Sequence, residues 1–245
     1  MRRYGLIGYP LSHSFSQKYF TEKFEKTGIT GCLYELFPLS SIHELKSLLA
    51  QHPDLEGLNV TIPYKQEVMA FLDDASHIPA ALGACNCIRI KNGRLIGYNT
   101  DWIGFWKSLA PLLEPHHRKA LVLGSGGAAS AVIYALQQNG IACMVAGRKL
   151  RPGTTITYPQ INKKVIGDHH LIINTTPLGM YPHTEECPEI PYEYIHHRHL
   201  LYDLVYNPAQ TLFLTKGEAQ GAVTKNGVEM LALQAEESWR IWNEG

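Results

Sequence analysis

Short apolar runs alternate with amphipathic segments along the first third of the chain. Strand-like runs occur at residues 3–8 (RYGLIG), 32–37 (CLYELF) and 57–63 (GLNVTIP). After the first run, SQKYFTEKFEKTG places its aromatic residues on one face of a helix, and Gly28 ends that helix. After the second, SIHELKSLLA predicts a helix that opens with a capping box of Ser41 and Glu44. This alternation predicts an α/β fold with a mostly parallel sheet covered by helices.

The third strand-like run carries polar residues on one face and ends abruptly. Its alternating apolar positions are predicted to be buried, and they are Leu58, Val60 and Ile62. Asn59 and Thr61 then point to the opposite face of the strand. Pro63 ends the ladder because proline has no N–H to donate. Lys65 follows at once, so the strand leads directly to a lysine.

A hairpin and a second strand–helix array follow. CNCIRIKNGRLIGYN holds Asn92–Gly93 between two strand-like runs, which is the strongest short hairpin signal. Residues 102–109 have a helical pattern, and ALVLGSGGAASAVIYALQQNGIACMVAGRK then reads as strand, glycine turn, helix and strand. The runs LIIN and LLYDLVY add strands, and GVEMLALQAEESWRIW is a final helix that could return to either half. We expect a domain boundary near residue 101.

The glycine turn is typical of a dinucleotide site. VLGSGGAASA follows a strand and opens a helix, and it contains Gly124, Gly126, Gly127 and Ala128. Missing side chains let the backbone approach a pyrophosphate, and the helix N-terminus supplies free N–H groups. The next strand ends without the acidic residue that usually holds the ribose of NAD. It ends in Arg148 and Lys149, and two cations suit the 2′-phosphate of NADP. The alternative is a solvated basic loop tip.

Composition and charge argue against several classes of protein. The 245 residues are enough for two modest domains, and 45% hydrophobic with 18% charged residues is a normal globular mixture. Lys plus Arg and Asp plus Glu both number 22, so neither nucleic acid nor an anionic membrane is an expected partner. No apolar run approaches the roughly 18 residues of a membrane span. The apolar stretch near the start is too short for a signal peptide, and we expect a cytoplasmic protein.

The cysteines and histidines do not predict a metal site. Five cysteines without a secretion signal indicate reduced thiols. Cys85 and Cys87 form a C-x-C pair, either half a metal site or two small residues on one face of a strand. Histidine pairs begin at positions 116, 169 and 196, with His199 nearby, all in polar, loop-like stretches. Because no second pair stands at zinc spacing, we predict no metal.

Further polar residues accompany Lys65 in the predicted first domain. Ser14 and Ser16 lie between a strand and a helix start, where either could cap the helix or help to hold a carboxylate. Asn86 lies among apolar neighbours, and Asp101 falls at the predicted domain junction, where it could be only a cap. Hydride transfer to a ketone needs a group that supplies the hydroxyl proton. A lysine and an aspartate at one cleft could share that task.

Several motifs in order resemble one family, the shikimate dehydrogenases, over nearly the whole chain. GYPLSHSFS resembles the opening serine motif of that family, and NVTIPYK its N-V-T-[IV]-P-x-K signature. GACNC stands where the family has G-A-x-N-T, and GYNTDWIGF matches its N-T-D-x-x-G run. GSGGAA and NTTPLGM are similar to its cofactor loops, and YDLVYNPAQT and NGVEMLALQA to its last two blocks. Several motifs at consistent spacing are far more specific than any one of them.

The resemblance implies NADP-linked interconversion of 3-dehydroshikimate and shikimate, a step toward chorismate and the aromatic amino acids. It implies that Lys65 and Asp101 are the catalytic pair. The implied substrate-binding residues are Ser14, Ser16 and Tyr206 for the carboxylate, and Thr61, Lys65, Asn86, Asp101 and Gln234 for the hydroxyls. The implied cofactor contacts are Gly124, Ser125, Gly126, Gly127, Ala128, Arg148, Lys149, Thr175, Leu204 and Gly227.

The family fold also implies the domain limits and the partners. The final helix returns to the first domain, so the substrate domain is expected at residues 1–101 and 227–245. The Rossmann-like NADP domain is expected at residues 102–226. Substrate would bind between two domains that can close. We expect a small-molecule substrate and a monomer or homodimer.

Four departures from the family pattern leave alternatives open. AGRK replaces the usual N-R-[TS], and the segment from Lys149 to Asp168 is short, with RPGTTITYPQ where a helix is expected. Leu204 replaces a frequent methionine, and Cys87 a threonine, both mild changes. The alternatives are a relative that oxidises quinate or uses NAD, a folate-linked NADP dehydrogenase, which lacks the HSFS block, and a catalytically idle NADP-binding regulator.

Overall fold

The computed structural model of the chain describes residues 1–11 and 14–244. The chain divides into two compact units, Met1–Ile103 with Ala232–Gly245, and Gly104–Leu231. Within the described residues, each unit is built on a six-stranded sheet. None of the described helices combines the length and apolar composition that a membrane crossing requires.

The sheet of the first unit is mixed. Its strands are β1 (Arg2–Gly8), β2 (Cys32–Pro38), β3 (Leu55–Val60), β4 (Asp74–His77), β5 (Cys87–Lys91) and β6 (Arg94–Tyr98). Their order is β2-β1-β3-β5-β6-β4. β1 pairs in parallel with β2 and β3, whereas β5 runs antiparallel to both β3 and β6. The parallel half comes from strand–helix units and the antiparallel half from the hairpin.

The predicted hairpin is confirmed, and its turn has the backbone that its sequence requires. Asn92 and Gly93 connect β5 to β6 with φ of 52° and 74°. Positive φ at both central residues defines the turn that matches the twist of two paired strands. The edge strand β4, parallel to β6, had no counterpart among the predicted elements.

Helices cover the first sheet and supply most of its aromatic core. They are α1 (Phe15–Thr27), α2 (Leu45–Gln51), the start of α3 (Asp101–Leu109) and the end of α7 (Val228–Asn243). α1 ends at Gly28 with φ of 65°, as predicted from the sequence. Trp242 of α7 packs on Gly57 of β3, where any β-carbon would overlap its ring. The core around them consists of Tyr4, Leu6, Phe20, Phe24, Tyr34, Cys87, Ala235 and Ile241.

Two local predictions for the first unit are wrong. Ile62 is 73% exposed, because β3 already ends at Val60. No capping box forms at Ser41, since the carboxylate of Glu44 accepts a hydrogen bond from Ser40 instead. Asn59 is buried, because it hydrogen-bonds to side chains that cover it, so both faces of β3 are covered.

The second unit has a wholly parallel sheet. Its strands are β7 (Lys119–Leu123), β8 (Ala142–Gly147), β9 (Ile156–Thr157), β10 (Leu171–Asn174), β11 (Leu200–Asp203) and β12 (Val223–Lys225). Their order is β12-β11-β10-β7-β8-β9. Counted from β7 as the first strand, this is 6-5-4-1-2-3, the order of the dinucleotide-binding doubly wound fold. The predicted α/β class with a Rossmann-like second part is confirmed.

The helices of the second unit include the one that follows the glycine turn. They are α4 (Gly127–Gln138), α5 (Lys163–Asp168) and α6 (Leu212–Ala219). The short segment after Lys149 forms the two-residue edge strand β9 and one helical turn at Tyr158–Gln160 before α5 begins. The core of this unit includes Leu121, Leu123, Ala146, Ile172, Leu201 and Phe213.

Candidate active site

Lys65 and Asp101 form an ion pair in the first unit. Nζ of Lys65 lies 2.7 Å from Oδ2 of Asp101. The Lys65 side chain is 34% exposed and that of Asp101 is 20% exposed, so both remain accessible. Asp101 is the first residue of α3, and its N–H donates to Oδ1 of Asn99 at 3.1 Å. The backbone carbonyl of Lys65 accepts from the N–H of Cys85 at 2.7 Å, which fixes the turn that carries the lysine.

Asn86 holds the other oxygen of the same carboxylate. Its Nδ2 donates to Oδ1 of Asp101 at 2.9 Å and to Oγ1 of Thr100 at 3.0 Å, and its Oδ1 accepts from the Thr100 N–H at 2.6 Å. The backbone of Asn86 is bonded on both sides, to Val60 and to Tyr98. The carboxylate thus has one partner on each oxygen, and Asn86 orients it toward the lysine.

A chain of buried hydrogen bonds extends from this pair into the sheet. Oγ1 of Thr100 lies 3.4 Å from both Oε1 of Gln234 and Oγ of Ser238. Nδ2 of Asn59 donates to the same Ser238 oxygen at 2.9 Å. Tyr34 donates to Oδ1 of Asn59 at 2.9 Å. Partly satisfied buried polar networks are unstable, whereas satisfied ones rigidify a site.

Four members of this network were not predicted as site residues, namely Tyr34, Asn59, Thr100 and Ser238. Thr100 is fully buried and was only part of the matched YNTD run, and Ser238 is fully buried on α7. Ser238 gives no local signal, because its partner Asn59 is 179 positions away in the sequence. Gln234, which was predicted, is 8% exposed and reaches the site through Thr100.

The predicted carboxylate-binding serines lie at the start of α1. Ser14 is the N-cap, and its Oγ accepts from the N–H of Gln17 at 3.3 Å. Ser16 is the second residue of α1 and is half-buried. Thr61 is half-buried, and its methyl group packs against Gly8. Ser12 and His13 of the same serine motif lie outside the described residues.

The remaining predicted substrate residue belongs to the second unit. Tyr206 follows β11 and is 37% exposed. Its loop is anchored by Asp203, whose carboxylate accepts from Thr211 at 2.6 Å, from Asn174 at 2.9 Å and from the Val205 N–H at 3.0 Å. Burial raises the pKa of Asp203 to about 6, and the three hydrogen bonds oppose that rise. The carboxylate therefore holds the end of β11 and the loop that follows it.

The glycine turn of the second unit has the form that a pyrophosphate requires. Gly124 has φ of 105°, and a β-carbon there would lie 2.7 Å from Oγ1 of Thr175. Gly126 caps α4 without a side-chain hydrogen bond. A β-carbon built at Gly126 or Gly127 would meet no described residue from elsewhere in the chain within 4 Å. A helix N-terminus without side chains at these positions presents free N–H groups, so the residues present fit a dinucleotide phosphate.

The predicted cations lie beside this turn. Arg148 and Lys149 follow β8 and are exposed. Arg151, three residues on from Arg148, donates through its guanidinium to Oγ of Ser125 at 2.7 Å. Arg151 thus ties the basic loop to the glycine turn, a contact that the sequence did not indicate. A cationic loop at the end of the second strand matches the position of a ribose phosphate in this fold.

The other predicted cofactor residues follow neighbouring strands of the same sheet. Thr175 comes directly after β10, and its Oγ1 donates to the carbonyl of Leu123 at 2.8 Å. Leu204 follows β11. Its carbonyl oxygen packs so closely on Gly227 that any side chain at position 227 would overlap it. The loops after β7, β10 and β11 meet at the carboxyl edge of the parallel sheet, where ligands bind in such folds. Ala128 lies within the first turn of α4.

Comparison with known proteins supports the description of the first and of the second unit. The model of the shikimate dehydrogenase substrate-binding domain matches residues 6–88. A shikimate dehydrogenase (NADP(+)) of Clostridium beijerinckii is 38% identical over 260 residues, covering 100% of this chain and 93% of the relative.

Solved structures agree over the whole length. The shikimate 5-dehydrogenase of Thermus thermophilus, in complex with NADP(H) and shikimate, is 30% identical with a TM-score of 0.87, covering 99% of this chain and 94% of that one. The enzyme of Listeria monocytogenes, in complex with shikimate and NAD, is 26% identical with a TM-score of 0.89, covering 99% and 91%. The resemblance drawn from the motifs is thereby confirmed, and the chain belongs to the shikimate dehydrogenase family.

Proposed function

We propose that this protein interconverts 3-dehydroshikimate and shikimate with NADP as the cofactor, in the biosynthesis of aromatic amino acids. The observation that carries the proposal is the accessible contact between Lys65 and Asp101, held in place by Asn86. The family to which the chain belongs and its Rossmann-like second unit support the same reaction. Residues 1–101 and 227–245 would form the substrate domain, and residues 102–226 the NADP domain.

Lys65 and Asp101 would move the proton of the reacting hydroxyl. Oxidation of an alcohol carbon releases a hydride and requires removal of the hydroxyl proton. The substrate oxygen would approach Nζ of Lys65, which already shares a hydrogen bond with Asp101. The contact lets a proton taken up by one group be passed to the other, so both would participate in the transfer. Asn86 leaves one oxygen of Asp101 for the lysine and fixes the other.

The substrate would be oriented by polar groups around this pair. Ser14, Ser16 and Tyr206 would bind its carboxylate, and Thr61, Asn86 and Gln234 would bind its hydroxyls. Ser14 supports this assignment because its oxygen accepts a backbone hydrogen bond, and its hydroxyl donates to no residue among those that the structure describes. Gln234 is buried against Thr100 and could present its amide only at a fixed position.

The cofactor would be held by the second unit. Gly124, Ser125, Gly126, Gly127 and Ala128 would bind the pyrophosphate through backbone N–H groups. Arg148 and Lys149 would bind the 2′-phosphate, and Thr175, Leu204 and Gly227 would line the remainder of the site. NADP would supply the hydride acceptor of the reaction. Arg151 would act indirectly, by holding Ser125 against the basic loop.

An absorbance assay at the nicotinamide band tests the proposal. Shikimate and quinate would each be offered with NADP and with NAD, in all four pairings. We expect the highest kcat/KM for shikimate with NADP. A preference for quinate, or for NAD, the cofactor bound in the Listeria monocytogenes complex, would assign the protein to a different branch of the family. Binding of NADP without turnover in any pairing would identify an idle regulator.

The substrate is a small molecule, and the assembly state needs its own measurement. We infer a monomer or a homodimer. Sedimentation velocity at enzyme-assay concentrations distinguishes the two.

A further inference from the structure

Three histidines of the second unit converge at one edge of its sheet. We call His170, His196 and His199 the histidine cluster. One ring nitrogen from each lies within 4.8 Å of the others. Ring centroids are 4.3 Å apart for His196 and His199, and 5.0 Å apart for His170 and His199. Among the described residues, this is the only group of three or more histidine, cysteine or acidic side chains with such spacing.

The parallel sheet brings these residues together. His170 immediately precedes β10, and His199 immediately precedes β11. The two strands are paired with Leu171 opposite Leu200, so the residues before them meet at the amino edge. The N–H of Leu200 donates to the carbonyl of His170 at 2.8 Å. The positions are therefore set by backbone hydrogen bonds and not by chance contacts of loose side chains.

Two of the three rings have a nitrogen available. The His170 ring makes no hydrogen bond to any described residue. His196 accepts through Nδ1 from the N–H of Arg198 at 3.3 Å, and its Nε2 has no partner within residues 1–11 and 14–244. Both rings are partly exposed, so solvent or an ion can reach them.

The third ring is already oriented as a metal ligand would be. Nε2 of His199 lies 3.1 Å from the carbonyl oxygen of Ile166, and its Nδ1 faces the N–H of His196 at 3.1 Å. Histidines that bind metals usually donate the other ring N–H to a carbonyl or carboxylate, which fixes the ring and its tautomer. His199 can keep the bond to Ile166 and exchange the hydrogen bond that its Nδ1 accepts from His196 for a bond to an ion.

We propose that the histidine cluster binds a divalent transition metal ion, Zn²⁺ in particular, with water completing a four-coordinate site. Neutral imidazole suits zinc, copper and nickel. Zinc–nitrogen bonds of about 2.0–2.1 Å place tetrahedral ligands about 3.3 Å apart. The three ring nitrogens lie within 4.8 Å of one another, so rotation of the His170 and His196 side chains can bring them to that spacing around one ion.

The surrounding charges moderate the affinity. Arg198 is exposed beside the cluster and opposes a cation. The ring centroid of His116 is 5.3 Å from that of His170. A carboxylate oxygen of Glu114 lies 3.4 Å from Nδ1 of His116. No carboxylate is itself a ligand of the cluster, so the site binds more weakly than a closed site of four protein ligands.

The location gives the ion a structural role. The glycine turn and Thr175 lie after the carboxyl ends of β7 and β10, whereas the cluster lies before β10. The four residues of β10 span about 13 Å at about 3.3 Å per residue. An ion there would tie the amino ends of β10 and β11 together without touching the cofactor site.

Calorimetric titration of the chelator-treated, untagged full chain with ZnCl₂ tests the proposal. We expect about one equivalent of bound Zn²⁺ in the wild type and at least about tenfold weaker binding in His170→Ala. His170 is the ligand of choice because its ring has no hydrogen bond to lose. His197→Ala is the matched control, since His197 lies exposed in the same turn but outside the cluster. Circular dichroism confirms that each variant is folded.

Two further readouts identify the ligands and the role. Co²⁺ bound in place of Zn²⁺ should give visible bands of a four-coordinate site, without the near-ultraviolet thiolate band that the free cysteines would produce. Zn²⁺ should raise the thermal midpoint of the wild type and not that of His170→Ala, with dehydrogenase activity unaffected by chelator. Unchanged Zn²⁺ affinity in His170→Ala, equal weakening in His197→Ala, a thiolate band, or loss of activity with chelator would overturn the assignment.

Discussion

The candidate sites of the two units differ in construction, since one consists of hydrogen-bonded side chains and the other of accessible backbone and exposed cations. In the first unit, Lys65 and Asp101 are fixed by interlocked side chains, each of which satisfies the next. In the second unit, the glycine turn offers bare backbone, open space and exposed cations. A proton-transfer pair needs fixed distances, so it is surrounded by hydrogen bonds. A bound phosphate needs backbone N–H groups that it can reach, so the glycine turn has no side chains and the neighbouring cations are exposed. Replacing one side chain of the first site should therefore abolish most of the turnover. A single replacement in the second site should weaken cofactor binding only in part.

Replacement of Lys65 should lower turnover more than any other change considered. In Lys65→Met, turnover should fall by about 10²–10⁴-fold while the KM for shikimate changes less, because proton transfer is lost and most binding groups remain. Steady-state kinetics at saturating NADP measure this. Lys91→Met, an exposed lysine of the hairpin, is the control. Asp101→Asn should resemble Lys65→Met, because the two groups act as a pair. Near-normal turnover in folded Lys65→Met would remove this residue from the mechanism.

Next in size is the effect of Arg148 on cofactor choice. A charge-assisted hydrogen bond to phosphate is worth about 1.5–3 kcal/mol, so Arg148→Ala should lower the preference for NADP over NAD by roughly 10- to 100-fold. The measurement is kcat/KM for both cofactors, with Lys164→Ala of α5 as an exposed control. A wild type that prefers NAD, or a variant with unchanged preference, would show that the basic loop does not recognise the 2′-phosphate.

A smaller effect distinguishes binding from capping at the start of α1. Ser14→Ala and Ser16→Ala should raise the KM for shikimate several-fold, about 1 kcal/mol of lost hydrogen bonding, and leave the KM for NADP unchanged. Ser14→Ala should also lower the thermal midpoint, since its oxygen caps the helix. Ser47→Ala, an exposed serine of α2, controls for nonspecific loss. Equal rises in both KM values would leave only the structural role.

The smallest expected effect is a pH dependence of stability centred in the second unit. Burial, with the charges of His199, Arg198, His116 and His196, lowers the pKa of His170 to about 4. The unfolded chain, with an ordinary histidine pKa of 6.5, binds this proton first. Stability from His170 is therefore present above pH 6.5 and lost as the pH falls toward 4. Urea midpoints at pH 7.5 and 5.0, with chelator, should differ less in His170→Ala than in the wild type. An equal difference would exclude His170 as a source.

Local signals in the sequence were enough to predict several elements of the fold. The strand–helix alternation, the end of α1 at Gly28 and the Asn92–Gly93 hairpin each depend on a few neighbouring residues. The glycine turn after β7 is equally local, because a missing side chain is visible in the letters themselves. Lys65 and Asp101 stood out through motifs, and the family resemblance paired them although they are 36 positions apart.

What those elements pack against depends on contacts between segments that are far apart in the sequence. Asn59 is buried because Ser238, 179 positions later, returns on α7 to bond it, and Ile62 is exposed because β3 stops two residues earlier. The histidine cluster likewise exists only because parallel pairing places His170 beside His199. Local patterns set the conformation of a segment, whereas burial and side-chain partners depend on contacts between distant segments. No pattern along the chain contains that information.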